Sequence, residues 1–221
     1  MRCNRIVMFM MAMLSLFSLA AYGWQVKGNP VDDSIKQKVE ANYNPARDSV
    51  EQKGESKMQI TSTAFKEGDT IPVKYTCDGP DLSPPLAFSD IPTGAKSLAL
   101  ICDDPDAPMG TWVHWALYSI PPNLKGLPEN VLKVVTPILK IDGKEIALMQ
   151  GANSSKKYGY NGPCPPSGVH RYYFKLYALD FELRFDREEV AKGVTKAILL
   201  EKIKGHVLSE ASLMGRYQRK G

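Results

Sequence analysis

From residue 58 onward, short apolar runs alternate with connections rich in proline and glycine, a pattern that predicts strands. Residues 97–103 are almost unbroken apolar with no helix stop, as in a strand buried on both faces. Residues 112–120 alternate in size and end at Pro121-Pro122, and 171–179 are dense in aromatic and branched side chains. Residues 71–77 also alternate, closing on the turn cluster Asp78-Gly79-Pro80. Late in the chain the period changes: 187–200 and 201–214 carry apolar residues at helical spacing, with Gly205 as a weak point. Strands first and helices last predict a β-dominated α+β fold rather than alternating βαβ units.

The N-terminus follows a different pattern. Arg2 and Arg5 form a short basic region, residues 6–21 are almost wholly apolar, and Ala21-Tyr22-Gly23 supplies small residues where a signal peptidase reads. Sixteen residues fall short of the roughly 20 needed to span a bilayer. Residues 1–23 are therefore read as an export signal; an uncleaved anchor with Trp24 at the membrane interface is the competing reading. Residues 24–57 mix Lys, Glu, Gln, Asn and Asp without sustained periodicity and read as a flexible polar spacer. The folded domain is expected over 58–221. No later segment reaches membrane-spanning length, so the expectation is an exported protein, periplasmic or secreted, without a transmembrane segment once the signal is removed.

Composition narrows the functions. Of 221 residues, 43% are hydrophobic and 24% charged, enough for one domain with a real core. The net charge of +4 drops to +2 when Arg2 and Arg5 leave with the signal, and no basic stretch is interleaved with aromatics. That excludes a nucleic-acid binder. Without Cys3, three cysteines remain, so at most one internal pair can form. Cys102 sits in an apolar run and reads as a small buried hydrophobe, whereas Cys77 and Cys164 occupy turn-rich loops where an oxidising compartment permits a disulfide. None has the C-x-x-C spacing of a zinc site, and no metal or cofactor is expected.

Polar groups concentrate at the ends of the expected strands, in 102–108, 111–115 and 159–172. These segments hold two of the three histidines. By alternation His114 shares a face with Trp112 and Ala116, and His170 with Tyr172 and Phe174. Side by side, those strands would converge two imidazoles and a phenol on one pocket. Such groups suit an anion: imidazole and phenol donate to oxygens, and the glycine-rich loop at Gly162 lets backbone N–H groups approach. Asp104 makes sense there only as the acceptor that fixes an imidazole's tautomer. Each feature alone has a plainer reading, as a structural histidine, a turn-forming aspartate or a rigid loop; their coincidence favours the pocket.

Asp104-Pro105-Asp106-Ala107-Pro108, Trp112-x-His114 and Gly162-Pro163-x-Pro165-Pro166-x-Gly168-x-His170-Arg171-Tyr172 resemble the two signature blocks of phosphatidylethanolamine-binding proteins. The run from Tyr75 to Leu86, Tyr-Thr-Cys-Asp-Gly-Pro-Asp-Leu-Ser-Pro-Pro-Leu, resembles the bacterial, Raf-kinase-inhibitor-like branch. The resemblance implies a central β-sandwich with peripheral and C-terminal helices. It implies a ligand pocket built from Asp104, His114, His170 and Tyr172 with Trp112 and Pro108 as walls, taking phosphate or phosphorylated head groups, a phospholipid head group among them. It also implies a sharp turn with a cis Ala107–Pro108 bond. The spacer and Cys102 fall outside the family pattern.

Three function classes follow. The leading expectation is a non-catalytic binding protein for a small anionic or phosphorylated ligand. The second is a secreted inhibitor of a protease or host signalling protein that uses the loops around the pocket. The third, a hydrolase or metalloenzyme on Asp104, Asp106, His114 and His170, is weakest, because the chain has neither G-x-S-x-G nor H-E-x-x-H.

Overall fold

A computed structural model describes residues 57–219; the stretches expected to be an export signal (1–23) and a spacer (24–57) lie outside the described residues, apart from residue 57. Among the described residues there are ten strands, and every strand pairing is antiparallel. β1 (Gln59–Thr61), β2 (Leu86–Ser89) and β5 (Gly126–Leu127) form a small sheet in the order β1-β2-β5. A five-stranded sheet runs β10-β9-β3-β4-β8, from β3 (Ser97–Asp104), β4 (Trp112–Ile120), β8 (Met149–Gln150), β9 (His170–Leu179) and β10 (Val207–Tyr217). β6 (Ile138–Ile141) and β7 (Lys144–Ala147) make a separate hairpin.

Alternation along the central strands builds two cores. Leu98, Leu100 and Cys102 of β3 join Phe174, Leu176 and Ala178 of β9 on one face, where Ile60, Leu86, Phe88 and Leu127 of the small sheet close the sandwich. Ala99 and Ile101 face the other way, with Tyr177 and Leu179. That second face is covered by Leu183, Val194, Leu199 and Ile203, from the segment carrying α1 (Arg187–Lys192) and α2 (Lys196–Ile203). β3 is buried along its whole length because both its faces are cores, which is why it shows no polar alternation. The result is the expected β-dominated sandwich with peripheral helices.

Two local expectations are overturned. Residues 201–214 do not continue as a helix: after Ile203 the chain turns through Gly205 (φ 80°) and enters β10. There Ala211, Leu213 and Tyr217 are buried on one face, and ten residues of β10 register against β9. Helix propensities differ by only tenths of a kcal/mol per residue, whereas a buried large side chain contributes about 1.5–3 kcal/mol. The edge of β9 therefore decides the outcome. Residues 71–77 are likewise not a strand. Pro72, with no N–H to give a ladder, leads into a single 3-10 turn at Val73–Tyr75, closed by Thr76 donating to the Val73 carbonyl.

Candidate functional site

The candidate site lies at one end of the five-stranded sheet, on its sandwich face. β3 delivers Asp104 with the parity of Cys102, and β9 delivers His170 with the parity of Tyr172 and Phe174. His114 reaches the same face by an irregularity. In the β3–β4 ladder Cys102 pairs with Trp115 and Asp103 with Val113, leaving His114 as the extra residue of a β-bulge. Simple alternation would have sent His114 with Ala116 to the helix-covered core. Instead its ring meets Tyr172 edge-on, with centroids 5.1 Å apart. The expected shared face of His114 and Ala116 is thus corrected, and the bulge is the reason.

Asp104, His114 and His170 line one cavity of about 360 Å3. Its walls are Ala107, Pro108, Met109 and Trp112 on one side and Asn161, Cys164, Pro165 and Pro166 on the other. Both imidazoles are held by their Nδ1 atoms. His170 Nδ1 donates to Asp104 Oδ2 at 2.7 Å, both side chains being buried, and the other carboxylate oxygen accepts from the Asp106 N–H at 2.8 Å. His114 Nδ1 donates to the Asn161 carbonyl at 2.5 Å, while the Asn161 N–H returns to the His114 carbonyl at 2.9 Å. A carbonyl only accepts, so this contact fixes the proton of neutral His114 on Nδ1. Asn161 was not singled out from sequence, since a backbone carbonyl leaves no trace in residue type.

Burial is the main cause that holds the His114 pKa below its ordinary 6.5, against the opposing pull of Asn161 and of the Asp104, Asp103 and Asp81 charges. The folded protein thus binds fewer protons here than the unfolded chain. Its contribution is complete above pH 6.5 and is lost as pH falls below that value toward the folded pKa. Urea unfolding of the ligand-free protein is expected to show stability falling between pH 7 and pH 5, with a shallower fall in His114→Gln. Identical slopes would contradict this.

Two other expected site residues are placed differently. Tyr172 does not line the cavity; one strand repeat deeper than His170, it is wholly buried in the sandwich core. Burial, and after it the adjacent Asp104 charge, push its pKa well up, and its hydroxyl has no protein partner in good hydrogen-bond geometry. Gly162 is also absent from the lining, because its N–H is already spent on Asp81 Oδ1 at 2.6 Å. A Cβ there would meet the Tyr75 carbonyl oxygen at 2.6 Å, so this glycine serves close loop packing rather than a ligand.

The loops around the cavity are braced. Asp106 takes the Arg171 backbone N–H and Nε, both at 2.9 Å, and its guanidinium at 2.6 Å. Those bonds lower the Asp106 pKa to about 2 and tie the Asp104–Pro108 loop to the start of β9. The turn after Ala107 closes by Gly110 N–H to the Ala107 carbonyl, and the described residues contain no cis peptide. The expected cis Ala107–Pro108 bond is therefore corrected to trans, the lower-energy isomer even before proline. Opposite, Cys77 and Cys164 are joined with Cα atoms 5.4 Å apart, and Cys102 is free and buried. Among the described residues no His, Cys, Asp and Glu grouping could hold a metal, and no helix is long and apolar enough to cross a membrane.

Comparison with known proteins agrees with this construction. Two proteins designated UPF0098 align over 73% of the chain and 99% of their own length. One, from Methanothermobacter thermautotrophicus, is 49% identical over 162 residues, and the other, from Chlamydia muridarum, 47% over 167. A crystal structure of a phosphatidylethanolamine-binding protein homologue from Chlamydia trachomatis superposes with a TM-score of 0.63 at 44% identity, covering 74% of this chain and 99% of that one. Escherichia coli YbcL, described as a member of the mammalian family, superposes with the same TM-score at 29% identity, covering 75% and 100%. The sequence model of the phosphatidylethanolamine-binding protein family matches residues 61–218, and with two sheets, a braced pocket and relatives that align nearly end to end, the chain belongs to that family.

Proposed function

We propose that this protein is an exported, non-catalytic binding protein, periplasmic or secreted, whose pocket takes phosphate or a phosphorylated head group. The observation that carries the reading is the pair of imidazoles sharing one cavity, each with Nδ1 anchored and Nε2 unspent. Support for a non-catalytic role comes from the lining itself: it offers no hydroxyl nucleophile, and its only thiol position, Cys164, is disulfide-bonded. Export rests on the leader-like N-terminus and on cysteines paired as in oxidising compartments.

Isothermal titration with inorganic phosphate tests the reading. His170→Ala is expected to weaken binding by about 1.5–3 kcal/mol, the range for a hydrogen bond to a charged group. Circular dichroism should show the fold retained. Unchanged affinity in the His114→Ala, His170→Ala double variant would refute the site.

A second reading, an inhibitor of another protein acting through the rim, draws on Met109, which is 95% exposed, and Val169, 55% exposed, flanking the cavity mouth and the GPCPPSG loop. Capture of a secreted or host protein that glutamate at both positions abolishes would favour it.

A further inference from the structure

The two imidazoles do more than mark an anion site: the way they are anchored states which anion. His114 is a hydrogen-bond donor on its Nδ1 side, because the Asn161 carbonyl can only accept. In its neutral form the remaining ring nitrogen, Nε2, is then a lone pair. Nε2 has no protein partner among the described residues, and it is not one of their buried unsatisfied atoms, which are Asp103 Oδ1 and the hydroxyls of Tyr118 and Tyr172. It is therefore open to the cavity that the residue lines.

The surroundings disfavour escaping this constraint by protonation. His114 is only 4% exposed. The charged and titratable groups around it are Asp103 and Asp104 of β3, Asp81 of the facing loop, Tyr172 of β9 and, across the cavity, His170. The three carboxylates would welcome an imidazolium, but each has its own partner: Asp103 pairs with Lys175 and Lys196, Asp104 with His170, and Asp81 with Lys133. Burial outweighs their residual pull.

A lone pair facing a bound oxyanion is repulsive unless the anion brings a proton of its own. A phosphate monoester can: its second ionisation lies near pH 6, so close to neutrality it exists partly as –OPO3H−, with one P–O–H donor and two acceptor oxygens that share one negative charge. A phosphodiester has lost that option, since both remaining oxygens are bare acceptors.

We propose, resting on the phosphate-binding reading above, that the pocket selects phosphate monoesters in their hydrogen-phosphate form over phosphodiesters, with His114 Nε2 accepting the ligand's own P–O–H. His170 Nε2, the other unspent ring nitrogen, faces the remaining oxygens and donates to them with a second ring proton, the first being held on Nδ1 against the Asp104 carboxylate. An intact diacyl phospholipid, whose phosphate is a diester, is accordingly a poorer ligand than the phosphorylated head group released from it.

Methyl phosphate and dimethyl phosphate, which differ by one methyl group and both fit about 360 Å3, make the test. Titrated into the full chain at pH 6, methyl phosphate is expected to bind at least tenfold more tightly. In His114→Gln an amide N–H donates at every pH, so the preference should shrink to less than threefold through tighter binding of the diester. Nitrogen NMR of the imidazoles in wild-type protein gives a readout independent of any variant. In the methyl phosphate complex His114 should stay neutral, protonated on Nδ1 and bare on Nε2. Equal affinities for the two esters, or an imidazolium at His114 in that complex, would overturn the proposal while leaving phosphate binding standing. If inorganic phosphate and both esters fail to bind, the site reading falls and the selectivity falls with it.

Discussion

Replacing both Cys77 and Cys164 by alanine is expected to lower the stability of the protein by about 4 kcal/mol, and its melting temperature by roughly 10 °C. The two cysteines lie 87 residues apart, so their bond removes a large loop from the conformations open to the unfolded chain. The folded structure should lose little, because the same two loops are joined by other contacts. The Cys77 N–H donates to the Pro163 carbonyl at 3.1 Å, Gly162 N–H to Asp81, and the Tyr160 hydroxyl to the Tyr75 carbonyl at 2.9 Å. Phosphate affinity of the variant should accordingly remain within a few-fold of wild type. A reductant should reproduce the loss of stability in wild type and do nothing further to the variant. An unchanged melting temperature would show that the bond does not form in solution. Collapse of binding along with stability would show that the crosslink, rather than these hydrogen bonds, shapes the pocket wall.

The second large effect is expected on the opposite face of β3, where Asp103 is buried between Lys175 of β9 and Lys196 of α2. The three groups are not equivalent. The carboxylate is only 1% exposed, whereas the lysine side chains are 30% and 23% exposed and can swing their ammonium groups into water. Removing both lysines (Lys175→Met, Lys196→Met) strands a buried charge and should cost about 3–5 kcal/mol. Asp103→Ala leaves only mobile cations and should cost markedly less. Urea unfolding of the two variants decides the matter, and the reverse order would mean that the aspartate, not the cations, is the group that tolerates exposure. The pair also pins the start of α2 to the sheet, so the double-lysine variant should show early amide exchange in α2.

The sequence was most legible where composition leaves one structural option. Residues 97–103, 112–120 and 171–179 are too apolar, too branched or too aromatic to stand anywhere but the middle of a sheet, and they became β3, β4 and β9 with bounds shifted by a residue at most. The short strands β1, β2, β5 and β8 left no such signal, because two to four residues cannot establish a period. The signature blocks located Asp104, His114, His170, Trp112 and Pro108 around one cavity, since strand-end residues flanked by proline and glycine have few places to go.

What only the tertiary structure decided are the matters of register and competition. One extra residue in β4 turned His114 toward the cavity, and no periodicity reveals a bulge, because the signal is a pairing between two strands rather than a pattern within one. Tyr172 left the pocket for the core, and Gly162 gave its N–H to Asp81, because depth along a strand and the reach of a neighbouring loop are set by packing. Residues 207–217 could have formed a helix by their own spacing. They became a strand because the open edge of β9 offered a continuous ladder and a buried face, which together outweigh a local propensity of a few tenths of a kcal/mol per residue. The sequence by itself pointed to Asp104, His114, His170, Trp112 and Pro108 as neighbours; the sheet decided which nitrogen of each imidazole is anchored and which is left unpaired.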